Sequence, residues 1–141
     1  MKRESSRANA LLVELLLVIF FFMISAAILV QLFANARHKS IEAKAATAAI
    51  AEAQNCAEDL YGTDDWEAWL NDNGFTWIEA ENRWIRKDDG YTLYITKEFE
   101  TTAAGEIRTF HVSGFGDGKD LFTIPSTRYV PAPVPAKEVS P

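Results

Sequence analysis

Residues 15–30 read LLLVIFFFMISAAILV, a run without a charge in which Ser25 is the one mildly polar side chain. A helix made of it is apolar on every face. Burying such a helix inside a soluble core would need more surrounding protein than a chain of 141 residues can supply. Adding 10–13 and 32–34 gives about twenty-five residues interrupted by Glu14 and Gln31, enough to cross a bilayer with some tilt. The sequence therefore predicts a short basic leader over 1–9 and a transmembrane helix over 10–36, with membrane lipid as its first partner.

Lys2, Arg3 and Arg7 precede the apolar run, and Arg37, Lys39 and Lys44 come after it, so the positive-inside rule does not decide the orientation. A short N-terminal tail ahead of a span usually stays in the cytoplasm, which puts the larger C-terminal part outside. A secretory signal peptide is the competing reading, because Ala34-Asn35-Ala36 matches the small-x-small cleavage pattern. Cleavage after Ala36 would release a secreted domain beginning at Arg37. The length of the apolar run, its opening on Glu14 and the lack of a helix breaker behind it argue for an anchor instead.

A carboxylate at the edge of a hydrocarbon span is costly and usually finds a partner. At headgroup level Glu14 would meet water; deeper, it calls for a positive group on a neighbouring helix. The segment Ala10-Leu11-Leu12-Val13-Glu14-Leu15-Leu16-Leu17-Val18-Ile19 resembles the N-terminus of type IV pilins and of the pseudopilins of type II secretion systems. The resemblance covers the N-terminal region only. It implies a leader removed by a prepilin peptidase, with Ala10 as the new first residue and Glu14 pairing with the amino group of the next subunit. It also implies a helix that is half anchor and half spine of a small α+β head, and assembly with other pilin-like subunits. The position before the cut falls on Asn9, where that family normally carries Gly.

From Asn35 to Leu60 there is neither Pro nor Gly. Ala43, Ala46, Ile50, Ala53, Ala57 and Leu60 alternate at spacings of three and four, a stripe that suits close packing on a sheet or on neighbouring helices. The helix should run from about residue 8 to about 60, roughly 80 Å at 1.5 Å per residue. Its second half, 37–61, lies beyond the membrane, and Gly62 is a natural stop.

The segment 62–129 reads as a small globular domain. Asp64-Asp65-Trp66-Glu67-Ala68-Trp69-Leu70 predicts a short helix with an Asp cap, closed by Gly74. Thereafter short aromatic and β-branched runs alternate with turn residues. Strands are expected over 75–78, 83–86, 91–99, 107–115 and 121–124, with turns at Glu79–Asn82, Asp88-Asp89-Gly90, Thr101–Gly105 and 116–120. The fold class is α+β: one long N-terminal helix packed on a small antiparallel sheet. Residues 130–141, with alternating Pro, read as a disordered tail.

No enzymatic constellation is legible. Gly114-x-Gly116-x-Gly118 leads into a strand, whereas a phosphate loop opens a helix. Asp88, Asp89, Asp117 and Asp120 match no complete calcium loop, and His38 and His111 lack a nucleophile or a second His at ligand spacing. Cys56 is the one cysteine and reads as a small buried hydrophobe; neither a metal nor another cofactor is expected. A net charge of −6 argues against a nucleic-acid partner. Trp66, Trp69, Trp77 and Trp84 suit core packing, with one of them free to serve as a platform for a sugar or a protein. The leading expectation is a non-enzymatic structural subunit of a pilus-like or type II secretion-like filament, and a minor one. The alternative is a membrane-anchored extracytoplasmic binding module.

Overall fold

Helix-forming residues without Pro or Gly occupy the first sixty positions, and one helix, α1, runs from Lys2 to Gly62. This computed structural model describes residues 2–133. The segment expected to be a leader is therefore already helical from Lys2, because its Lys, Arg, Glu and Ala residues favour helix as strongly as the apolar residues behind them. The chain divides between Ile41 and Glu42 into two compact units, and the globular unit takes in α1 from Glu42 onward, the stretch that carries the alanine stripe.

In the first unit the described side chains are exposed, Phe22 and Phe33 by about three quarters. By length and composition this helix can cross a membrane.

In the second unit α2, Trp66–Asp72, comes after α1. Asp65 caps it by accepting from the Ala68 N–H at 3.2 Å. Its end is a Schellman closure: Gly74 N–H donates to Asn71 O, Phe75 N–H donates to Leu70 O, and Gly74 takes φ +78. Five antiparallel strands come next, β1 Thr76–Ile78, β2 Arg83–Asp88, β3 Tyr91–Thr102, β4 Gly105–Gly116 and β5 Lys119–Pro131, paired in chain order. A 3-10 turn, Glu79–Glu81, joins β1 to β2 and ends on left-handed Asn82. Asp117 and Gly118 both have positive φ, the type I′ geometry that matches strand twist.

The hairpins are tighter and longer than expected. β3 reaches Thr102 and β4 starts at Gly105, which leaves Ala103-Ala104 as the turn. β5 runs straight through Pro125, in the place where only 121–124 was expected to be extended. A proline is tolerated there because β5 is an edge strand with one row of N–H groups unneeded by the ladder. Residues 130–132, expected to belong to a tail, are instead held to β4 and its turn. Val130 and Pro131 pair with β4, and the Ala132 N–H donates to Ala104 O at 2.9 Å; 134–141 lie outside the described residues.

One face of the sheet carries the core. Leu93, Ile95, Phe110 and Val112 meet Ala53, Cys56, Ala57 and Leu60 of α1 together with Leu70 and Phe75. Each of the buried Leu, Ile, Val and Phe side chains stabilises by about 1.5–3 kcal/mol, and each alanine methyl by less. The C-terminal part of α1 is also bonded to β5: Ser126 Oγ donates to Ala57 O at 2.7 Å, and Arg128 donates to Tyr61 O at the open end of the helix and to Thr63 O just past it. A cation at that end also suits the helix dipole.

Candidate functional site

Three places could carry function: the apolar half of α1, the face of α1 turned to the sheet, and an aromatic cleft beside α2.

On the apolar half, Asn9, Ala10, Val13, Glu14, Leu17 and Val18 form one strip, linked by spacings of three and four residues. The sequence-derived trio of Asn9, Ala10 and Glu14 is thereby brought together. Glu14 is exposed and has no ion-pair partner among the described residues.

The packing stripe needs correction. Ala53, Ala57 and Leu60 are buried as expected, and Ala46 is half-buried. Ala43 and Ile50 are exposed, Ile50 by 41%, and their places are taken by Ala49 and Cys56. The stripe is thus kept over most of its length and turned by roughly 40° around the axis, under half of one residue's 100° step. A sheet surface accepts alanine more closely than isoleucine, so the bulkier side chain is left on the outside. The missed signal is the series Ala49, Ala53, Cys56, Leu60, which has the same three-four spacing.

Polar groups concentrate at Arg86 on β2. Its guanidinium meets Glu52 of α1 at 2.8 Å and Asp88 at 2.9 Å, donates to Asn73 O at 3.3 Å, and lies over the Phe75 ring at 4.8 Å. Burial opposes its charge, but the bonds to Glu52 and Asp88 outweigh this and hold Arg86 above its usual pKa. Burial also pushes the neighbouring Cys56 thiol up to about 11, against the pull of Arg86. The spot is a structural clamp with an inert thiol beside it.

The aromatic cleft, about 340 Å³, is lined by Glu67, Asn71, Trp77, Trp84 and Lys97. Trp77 and Trp84 stand opposite each other across β1 and β2 with ring centroids 5.5 Å apart. Trp66 packs edge-on to Phe99 at 5.6 Å, and Trp69 stacks on Phe75 at 6.2 Å. Core packing therefore occupies Trp66, Trp69 and Trp84, whereas Trp77 is 37% exposed.

The remaining chemistry-bearing residues are scattered. Asp88 with Asp89, and Asp117 with Asp120, sit at two separate hairpin turns, and His111 lies 3.7 Å from Glu98 on the strands. Among the described residues no three His, Cys, Asp or Glu side chains converge as metal ligands. Comparison with protein-family models, with curated proteins and with solved structures finds no match.

Proposed function

We propose that this chain is a non-enzymatic filament subunit of the type IV pilin or pseudopilin kind, a minor one, held in the cell membrane by the first half of α1. In this reading the N-terminus is cytoplasmic, the globular unit faces outward, and Glu14 pairs with the terminal amino group of an adjacent subunit. A prepilin peptidase and the assembly machinery are its further partners. The observation that carries the reading is the unbroken helix Lys2–Gly62, whose exposed apolar run holds the lone carboxylate of Glu14 near its start. A carboxylate at that depth is retained at a cost of a few kcal/mol unless a cation meets it, which is a reason for a neighbour rather than for a simple tether.

The mass and N-terminal sequence of the protein taken from its native membrane test this directly. A first residue at or near Ala10, together with crosslinked multimers lost in Glu14→Gln, is the expected result. A mature start at Arg37 overturns it in favour of a secreted domain. An intact chain whose behaviour is unchanged by Glu14→Gln would leave the membrane-anchored binding module, a reading that the exposed indole of Trp77 favours.

A further inference from the structure

We infer that the cleft between α2 and the β1–β2–β3 side of the sheet is a binding site for a neutral saccharide of two or three rings. The inference concerns the globular unit alone and is independent of whether the chain assembles.

The volume, about 340 Å³, falls at the low end of the ~300–1,000 Å³ usual for small-ligand sites. What distinguishes the cleft is its mixture of surfaces. Trp77 and Trp84 present two indoles inclined at 56° to each other, an apolar wall with a bend in it. Trp77 sits on a three-residue edge strand and leaves over a third of its surface in water, where a large aromatic gains little for folding. Glu67 and Asn71 are four residues apart on α2 and therefore share a face, and both line the cleft together with the indoles.

Lys97 completes the set. Its ammonium lies 4.3 Å from the centre of the Trp66 ring and 5.9 Å from that of Trp77, with Phe99 at 5.8 Å. No carboxylate of the described residues pairs with it. Three aromatic rings thus surround a cation that has no carboxylate partner among the described residues. Trp84 Nε1 is a buried donor that also lacks an acceptor.

A sugar ring has an apolar C–H face and a rim of hydroxyls that both donate and accept. The indoles match the face. Glu67 accepts, Lys97 donates, and the Asn71 amide does both. One positive and one negative charge lining the cleft give no preference for an ionic ligand, and Glu67 works against phosphates. A peptide added to the sheet beside the cleft would find only the three residues of β1 to pair with.

The test is a titration of the full chain in lipid nanodiscs, without glycoside detergent, using maltotriose, cellotriose and chitotriose. Tryptophan fluorescence and the indole N–H resonances are monitored. At least one trisaccharide should saturate with a Kd of about 1 mM or tighter, moving the Trp77 and Trp84 indole signals. Trp77→Ala should weaken binding about tenfold or more, as aromatic anchors do. Glu67→Gln, on the exposed face of α2, provides a folded variant that should also weaken it, and Tyr129→Ala, on β5, should leave the affinity unchanged. Absence of saturation with all three sugars up to about 20 mM would overturn the proposal, being well beyond the expected Kd. So would full affinity in both Trp77→Ala and Glu67→Gln.

Discussion

Arg86 and Glu52, thirty-four positions apart, meet at 2.8 Å and pin β2 to the helix that precedes it. The Arg86 side chain is 15% exposed and that of Glu52 is 38% exposed, so the pair is mostly covered, with Glu52 its wetter end. Removing the cation strands Glu52 and Asp88 side by side and frees the Asn73 carbonyl. Arg86→Met should therefore cost about 2 kcal/mol in urea unfolding, with Glu52→Gln costing less because its site is more open. Arg86→Lys should restore only part, since an ammonium cannot serve three directions as a planar fork does.

Cys56 offers a pH signature. The folded chain holds the thiol proton to about pH 11, whereas the free thiol ionises near its ordinary value of 9.0. Between those values the unfolded chain gains by losing a proton that the folded chain keeps. This contribution to stability is therefore complete below pH 9 and is lost as pH rises toward 11. Cys56→Ala should flatten that part of the stability curve. A thiol reagent at pH 8 should leave the native chain untouched and label it readily in urea.

Gly105 and Gly118 should respond differently to alanine. A Cβ on Gly105 would sit 2.3 Å from Val130 O and 2.9 Å from Pro131 Cα, backbone atoms that cannot swing aside. Gly105→Ala is expected to cost about 2 kcal/mol and to speed hydrogen exchange at the Ala132 amide, which bonds to Ala104 O. Gly118→Ala meets open space and loses only the conformational freedom needed at φ +73, about 1 kcal/mol, without affecting that amide.

The phase of α1 is itself testable. Ile50→Ser should leave thermal unfolding within about 0.5 kcal/mol of the parent, since the side chain faces water. Ala49→Leu should lower stability by about 1–3 kcal/mol, because Ala49 is wholly buried.

That pair of substitutions also marks where the sequence could be read and where it could not. The long helix arises from the absence of Pro and Gly over its length, and the short one from its Asp65 cap and Gly74 stop. Which face of α1 packs was hidden, because alanines crowd 43–57 on all sides and give little contrast; Ile50 drew the reading toward itself. The length of β5 was hidden by Pro125, whose meaning depends on whether a strand is an edge, a fact set by the whole sheet. Arg86 looked like one basic residue in a strand, since its partners Glu52 and Asn73 come from two other elements. The aromatic cleft could be anticipated as a cluster of four Trp, but not which indole would stay outside; that is decided by β1 being three residues long.

The sheet order β1-β2-β3-β4-β5 repeats the order of synthesis. Each strand that emerges finds its only earlier neighbour already made, so no pairing has to wait for a distant segment. Nearby pairings of this kind favour rapid folding, and the sheet can grow one hairpin at a time. The long-range step comes last, when Ser126 reaches back sixty-nine positions to the carbonyl of Ala57. Until β5 arrives, β4 is an open template for foreign strands; its arrival closes that window and adds a last tie to a helix that β2, β3 and β4 already hold.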